Sequence, residues 1–182
     1  TVMDGTISAK GGSNSGNGGF VETSASTLKI GANARVNTTA QNGRAGQWLL
    51  DPTDFTVAAT GGDMTGATLS ANLGTGDVII QSGTGASGTN GDVFVNDTVS
   101  WSANTLTLRA SRDVNVNSTM DATGTAGLAV EYGQGAAAAG NSANFTVNAP
   151  VNMASTSALS TKLGRDGTVK NYTIVTTMAG LT

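Results

Sequence analysis

Eight aspartates are the residues of this chain best suited to acid–base or metal chemistry. Carboxylates from neighbouring strands can work as a general acid and base pair, and an arginine such as Arg109 or Arg112 can hold an acidic substrate. Some of the aspartates directly precede an alternating pair of Val or Ile, where a short acceptor caps a turn N–H, and this position favours a structural role. The eight are Asp51, Asp54, Asp63, Asp77, Asp92, Asp97, Asp113 and Asp121.

The residue inventory narrows the remaining chemistry. The chain has no histidine and no cysteine, which removes imidazole bases, thiolate nucleophiles, disulfides and the commonest transition-metal ligands. The segment Gly61-Gly62-Asp63 has the pattern of one unit of a calcium-binding glycine–aspartate repeat, but it occurs once and has no tandem array. We therefore expect no metal and no cofactor.

Two further residue types are candidates for a role with sugars. Trp48 and Trp101 could present flat faces to sugar rings, although Trp48 precedes Leu49 and Leu50 and is expected to pack inside the fold or at a corner. Five Asn-x-Ser/Thr sequences occur, and the Asn, Ser and Thr content alone predicts roughly four, so they do not indicate glycosylation. The five asparagines are Asn37, Asn96, Asn117, Asn144 and Asn171.

Composition and charge exclude several function classes. Thr, Ser, Asn and Gly make up 86 of the 182 residues and aromatics only 4%, which is poor material for a layered enzyme domain. Hydrophobic residues still reach 38% and the net charge is only -3, so the chain should fold. The nine basic residues are dispersed, which argues against nucleic acid, and no run approaches the roughly 18 apolar residues needed for membrane insertion.

The elements that must position these residues are short strands. Apolar residues alternate in short runs separated by Gly, Asn and Asp, and the runs recur about every twenty residues. This recurrence predicts an all-β solenoid of roughly eight or nine coils of about 20 residues, and the match of 27–37 with 105–115, offset by 78, would span four coils. The alternating pairs are Leu28/Ile30, Val78/Ile80, Val93/Val95, Leu106/Leu108, Val114/Val116, Leu128/Val130 and Phe145/Val147.

The same recurrence of short apolar runs predicts the domain organisation. Two stretches near 82–91 and 133–142 are rich in Gly, Ala and Ser, and we expect both to be loops that project from one continuous stack spanning 1–182. The chain opens in what reads as a strand, 5–9, so we expect it to be a segment of a longer protein.

Three blocks of sequence carry a family resemblance. Gly-Gly-Phe-Val-Glu-Thr-Ser at 18–24, Thr-Leu-Lys-Ile at 27–30 and Trp-Leu-Leu-Asp-Pro-Thr-Asp-Phe at 48–55 resemble the repeat region of two-partner-secretion exoproteins, the filamentous-haemagglutinin-like adhesins of Gram-negative bacteria. The resemblance implies a right-handed parallel β-helix from the shaft of a protein exported by an outer-membrane transporter. It also implies a location outside the outer membrane, secreted or on the cell surface, and a surface receptor or glycan as partner of the parent protein.

These observations lead to three functional hypotheses. The first is a non-catalytic shaft and interaction segment of such an adhesin, whose exposed ends would permit end-to-end self-association. The second is an extracellular carbohydrate-active β-helix enzyme that acts on acidic polysaccharide, which requires carboxylates of adjacent coils to meet in a groove. The third is the stalk of a contact-dependent toxin-delivery protein.

Overall fold

A computed structural model describes residues 1–85 and 89–176, and this part of the chain is mostly β with one short helix. Most strands are two to six residues long and coincide with the short alternating runs of the sequence. In chain order they are β1 Val2–Met3, β2 Thr6–Ser8, β3 Phe20–Ser24, β4 Lys29–Ile30, β5 Arg35–Asn37, β6 Gln47–Asp51, β7 Phe55–Val57, α1 Gly66–Leu73, β8 Asp77–Gln81, β9 Val93–Val95, β10 Val99–Trp101, β11 Thr105–Arg109, β12 Val114–Val116, β13 Met120–Ala122, β14 Gly127–Tyr132, β15 Phe145–Val147, β16 Val151–Met153, β17 Ala158–Leu163 and β18 Lys170–Tyr172.

The strands form parallel sheets. The largest has the order β18-β17-β14-β11-β8-β6-β3, a second has β15-β12-β9-β7, and a third has β10-β13-β16. Two further parallel pairs, β1 with β4 and β2 with β5, lie near the amino terminus. From β8 to β16 the chain visits the seven-, four- and three-stranded sheets in the same order three times. The prediction of a mostly β chain built from parallel strands is confirmed.

The pairing register stacks similar side chains on one another. Residues that point inward from one strand lie beside inward residues of the next strand, and the residues between them point outward. One inward column of the seven-stranded sheet consists of Val21, Trp48, Val78, Leu106, Leu128 and Leu159.

The other two large sheets contribute side chains to the same core. In the four-stranded sheet Phe55, Val93 and Val114 form an inward column that is fully buried. In the three-stranded sheet Trp101 lies beside Ala122, and both belong to the same continuous cluster of buried residues. Each strand from β3 to β14 contributes only one to three buried side chains, which explains how a chain with few aromatics forms a core.

The spacing between stacked strands is longer than the sequence indicated. Successive members of the inward column are separated by 27, 30, 28, 22 and 31 residues. The predicted step of about 20 is therefore too short, and the predicted eight or nine coils are too many. Only the step from Leu106 to Leu128 is close to the prediction, because longer steps contain insertions such as α1 and the stretch 133–144.

The predicted match of 27–37 with 105–115 is also wrong, because the two segments do not occupy equivalent places in the fold. Leu106 pairs with Val78 and Leu128 in the seven-stranded sheet, whereas the matched residue Leu28 lies just before β4, which pairs with β1 in a different sheet. A step of twenty residues from Leu28 would reach Trp48, but Trp48 pairs with Val21. The two segments have similar Thr, Leu and Asn residues because strands of different sheets need the same alternation of inward apolar and outward polar residues.

Helix α1 was not predicted. It begins after Thr65, whose hydroxyl accepts a hydrogen bond from the Thr68 N–H, and it buries Leu69 and Leu73. Its amide side chain Asn72 takes the place of a neighbouring strand: Oδ1 accepts from the Val36 N–H at 2.7 Å and Nδ2 donates to the Ala34 carbonyl at 3.0 Å. The helix thus satisfies backbone groups at β5 that a parallel strand would otherwise satisfy.

The remaining features are an antiparallel strand and two loops. β18 pairs antiparallel with β17, the one reversal of direction among strands of the described residues. The predicted loops hold no helix or strand where the structure describes them; 86–88 of the first loop lie outside the described residues. Across 1–85 and 89–176, the one helix is too short to span a lipid bilayer.

Candidate functional site

The densest group of charged residues lies at one corner of the stack. Asp54, Asp92 and Asp113 each directly precede a strand of the four-stranded sheet, and Asn144 precedes the last strand of that sheet. Asp54 Oδ1 accepts from the Asp92 N–H at 2.8 Å, Asp92 Oδ1 from the Asp113 N–H at 3.0 Å, and Asp113 Oδ1 from the Asn144 N–H at 2.7 Å. We name these four residues the corner ladder.

Arg112 neutralises much of the negative charge of the corner ladder. Its Nε and Nη2 donate to both oxygens of Asp92, and its Nε also lies 3.3 Å from Asp113 Oδ2. The hydrogen bond and the charge of Asp92 raise the pKa of the Arg112 guanidinium, so it stays protonated at all ordinary pH values. The Asp92 side chain is 6% exposed and that of Arg112 is 49% exposed, so the arginine covers the buried carboxylate from the solvent side.

Other aspartates use the same contact at other corners. Asp77 Oδ1 accepts from the Thr105 N–H at 2.7 Å, and Asp97 Oδ2 accepts from the Gly66 N–H at the start of α1 at 2.8 Å. Asp121 differs, because its Oδ1 accepts from the Asn152 side chain of the next strand at 2.7 Å. Asp51 ends β6 and is half-buried. Asp77, Asp97 and Asp121 therefore connect chain segments that are distant in sequence.

The segment Gly61-Gly62-Asp63, which has the calcium-like pattern, forms an ion pair with a lysine. Asp63 Oδ2 accepts from the Thr56 N–H at 2.8 Å, and Asp63 Oδ1 lies 2.7 Å from Lys29 Nζ. The lysine ammonium therefore occupies the place that an ion would need. Within 1–85 and 89–176, no three carboxylates come together in a way that could hold a metal.

The corner ladder brings carboxylates of adjacent strands together, as the enzyme hypothesis requires, but it uses them as acceptors. The carboxylates of Asp54, Asp92 and Asp113 are each oriented by at least one backbone N–H, and Asp92 is held by Arg112 as well. A general acid needs a protonated oxygen aimed at substrate. The chemistry that this arrangement performs most directly is the satisfaction of turn N–H groups.

Arg109 lies apart from this corner. It is on the outer side of β11, where its Nε donates to Glu131 Oε2 at 2.7 Å and its Nη1 to Gln81 Oε1 at 3.0 Å. These partners are on the two neighbouring strands, so the contact joins three strands of the seven-stranded sheet. The two arginines proposed from the sequence therefore serve different surfaces.

Both tryptophans are inside the molecule. Trp48 is 1% exposed and its Nε1 donates to Thr23 Oγ1 at 3.0 Å, which confirms the expected packing role. Trp101 is 5% exposed, and its Nε1 has no hydrogen-bond partner among the described residues. Neither ring is accessible as a platform for sugar, so that hypothesis is wrong for both residues.

A second ladder uses asparagines. Asn96, Asn117 and Asn148 follow three neighbouring strands of the four-stranded sheet; Asn117 Nδ2 donates to Asn96 Oδ1 at 2.8 Å and Asn148 Nδ2 to Asn117 Oδ1 at 2.7 Å. Two of the glycosylation-like sequences therefore belong to this ladder. Their asparagines recur because stacked amides hydrogen-bond along the strand-to-strand direction.

Sequence reasoning missed one member of the corner ladder. Asn144 belongs to a glycosylation-like sequence, and it also directly precedes the alternating pair Phe145 and Val147. Asp92 stands in the same position before Val93 and Val95. The missed signal is a short polar residue, Asp or Asn, immediately before each strand of the four-stranded sheet. Comparison of the chain with family models, with curated proteins and with solved structures found no match.

Proposed function

We propose that this chain is a right-handed parallel β-helix that serves as a non-catalytic shaft and interaction segment of a large secreted or surface-displayed adhesin. Three features support the β-helix: the repeated visiting order of the three sheets, the in-register parallel pairing, and the single core they enclose. In such a stack each coil contacts its neighbours, so length can grow without a larger core. A stack that can grow in length in this way suits a protein that must extend away from the cell surface.

The corner ladder is the observation that carries the proposal. The carboxylates of Asp54, Asp92 and Asp113 each accept the backbone N–H of the equivalent corner one strand further along. A surface meant for chemistry would leave such groups free for substrate, whereas a load-bearing stack needs its corners tied together. The most chemically capable residues of the chain thus contribute to stacking.

The family blocks are consistent with this role. Trp48, Leu50 and Phe55 of the most specific block are buried in the core. Val21 and Thr23 of the first block lie in register beside Trp48 and Leu50. The blocks resemble the exoprotein repeats at positions that determine packing, which favours a shaft over a ligand site at these residues. A chain without cysteine is also suited to crossing an oxidising periplasm unfolded.

The proposed partners follow from the same reading. The parent protein would be exported by an outer-membrane transporter, and its receptor would be a host or bacterial surface molecule or glycan. Strands β1, β2 and β3 each pair with one neighbour among the described residues, so they offer backbone groups for end-to-end association. A stalk for toxin delivery would share this shaft.

Surface labelling in the native bacterium tests the proposal. Antibodies raised against the folded segment should stain intact, unpermeabilised cells, and deletion of the adjacent transporter gene should abolish the staining while the protein remains detectable in lysates. Permeabilised cells stained for a periplasmic protein provide the control. Staining that requires permeabilisation in the unmodified strain would contradict the proposed location.

The enzyme alternative is tested separately. Polygalacturonate, alginate and hyaluronate would each be incubated with the purified protein, and new reducing ends and unsaturated uronates would be measured. We expect no cleavage above that of the Asp92→Ala variant. Cleavage that this variant lacks would overturn the non-catalytic assignment.

A further inference from the structure

A groove of about 570 Å³ lies beside the outer face of the seven-stranded sheet. Phe20, Gln47 and Asp77 belong to one outward row of this sheet, on β3, β6 and β8, and Asn104 precedes β11. The groove therefore extends across four successive strands. Its volume is in the range of sites that hold small organic molecules.

An exposed aromatic ring forms part of the groove. Phe20 is 58% exposed although its neighbour Val21 is 9% exposed, because alternate residues of β3 point to opposite faces of the sheet. Its exposure thus arises from the face on which it stands. The exposed ring of Phe20 supplies the flat apolar surface that the buried tryptophans do not.

Part of the lining of the groove is glycine main chain, at Gly18, Gly19 and Gly46. A side chain at Gly18 would collide with the Thr38 carbonyl oxygen, and one at Gly46 would collide with the Gly19 carbonyl oxygen. Close packing against neighbouring backbone therefore restricts both positions to glycine, and both present only main chain to the groove. A ligand can approach the backbone here.

The polar residues that line the groove include amide side chains, one cation, Arg44, and one anion, Asp77. Asn104 has a φ of 63°, the one positive value at a non-glycine among the described residues, and its Nδ2 donates to the Leu73 carbonyl at 2.7 Å. This contact fixes the side chain beside the groove. Gln47 is exposed, and the charges of Arg44 and Asp77 cancel formally.

We propose that this groove binds an uncharged oligosaccharide. The ligand must offer an apolar face to Phe20 and hydrogen-bonding groups to Gln47, Asn104 and the glycine backbone. A sugar ring has both, with C–H groups on one face and hydroxyls at its edge. The balanced charge of the lining disfavours a polyanion. This inference does not depend on the shaft function, since a rod and a solitary domain could both present the groove.

Amide chemical shifts of the ¹⁵N-labelled protein test the proposal. The probes are maltotriose, cellotriose, triacetylchitotriose and β-1,4-galactotriose, with trigalacturonic acid as the charged comparison. We expect at least one neutral probe to shift the amide signals of Gly18, Gly46 and Gln47, and to do so more strongly than the acid. If no neutral probe moves these signals, or if the acid binds more tightly, the proposal is wrong.

Three variants locate the binding. Phe20→Ala should weaken the best probe by about tenfold or more, because an aromatic anchor carries a large share of such binding. Asn104→Gly keeps a residue that tolerates positive φ but removes the amide, and it should also weaken binding. Tyr172→Ala is the matched control, since Tyr172 is 46% exposed and lies outside the groove. Equal affinity of Phe20→Ala and the unmodified protein would overturn the assignment.

Discussion

Replacement of Asp54 separates a structural acceptor from a catalytic acid. Asp54 Oδ1 accepts hydrogen bonds from the N–H groups of Gly91 and Asp92, both at 2.8 Å. Asp54→Ala removes the oxygen that accepts both hydrogen bonds and leaves the Gly91 and Asp92 N–H groups, both partly buried, without this acceptor. Asp54→Asn keeps an oxygen in the same place and can turn its NH₂ group away.

The structure sets the size of the effect. A hydrogen bond to a charged group contributes about 1.5–3 kcal/mol net, and the half-buried position of Asp54 favours the lower end. Loss of two such bonds should lower the free energy of unfolding by about 3 kcal/mol. For a chain of 182 residues this corresponds to a fall in Tm of roughly 6–12 °C. Asp54→Asn should cost about 1 kcal/mol or less.

Urea denaturation and calorimetry of both variants provide the assay. Asp51→Ala is the matched control, because Asp51 lies three residues away and its side chain has no hydrogen-bond partner among the described residues. We expect the control to stay within about 0.5 kcal/mol of the unmodified protein. The reasoning is refuted if Asp54→Ala is equally stable, or if Asp54→Asn is as destabilising as Asp54→Ala.

Three further substitutions test other parts of the structure. Asn72→Leu leaves the buried Val36 N–H without its acceptor and removes one of the two donors to the Ala34 carbonyl, which keeps its hydrogen bond from Arg35 Nη1. The substitution should lower the free energy of unfolding by about 2 kcal/mol in urea denaturation, and a loss below about 1 kcal/mol would contradict the strand-like role of this amide. Leu108 is fully buried, so Leu108→Ala should lower the free energy of unfolding by about 2–5 kcal/mol. Thr107 lies on the outward face of the same strand, and Thr107→Ala should change that free energy by less than about 0.5 kcal/mol. Equal losses in the two variants would contradict the assignment of inward and outward residues. Arg112→Ala should lower Tm by a similar amount at pH 7 and pH 10. The hydrogen bond and charge of Asp92 raise the pKa of Arg112, so the contribution of Arg112 is fully present below its ordinary pKa and is lost only as the pH rises through the raised pKa. A Tm that Arg112→Ala leaves unchanged at pH 7 would contradict its stabilising contact with Asp92.

The sequence allowed prediction of the strands because their signal is local. Val78 and Ile80, or Val114 and Val116, alternate with polar residues, and this alternation follows directly from a half-buried strand. The role of Asp77, Asp92 and Asp113 as turn acceptors was predictable from their position before such pairs. The donor was not, because each N–H belongs to a segment 21 to 31 residues away.

The spacing and the helix were not predictable for a physical reason. α1 is only eight residues long, rich in Gly, Thr, Ser and Asn, and its apolar signal consists mainly of Leu69 and Leu73. Its stability depends on tertiary contacts such as those of Asn72 with Ala34 and Val36. The loops lengthen some steps without disturbing the strand register, so a constant period cannot be read from residue types.

The candidate sites show the same division between local and long-range information. The presence of Trp48 in the core was predictable from its apolar neighbours, whereas the accessibility of Phe20 depends on which face of β3 points outward. The groove beside Phe20 depends on four separate strands and on the close approach of Gly18 to Thr38. No local pattern encodes such an arrangement.

The distance between two spin labels tests the stacked architecture most directly. Glu22 and Ser160 occupy the same outward row, five strand spacings apart, through Leu49, Ile79, Thr107 and Ala129. At about 4.8 Å per spacing their Cα atoms should lie about 24 Å apart. The chain has no cysteine, so Glu22→Cys with Ser160→Cys can be labelled uniquely. Double electron–electron resonance should give one narrow distribution near this value, broadened by the label arms, and a broad distribution or one centred beyond about 40 Å would contradict the parallel stack.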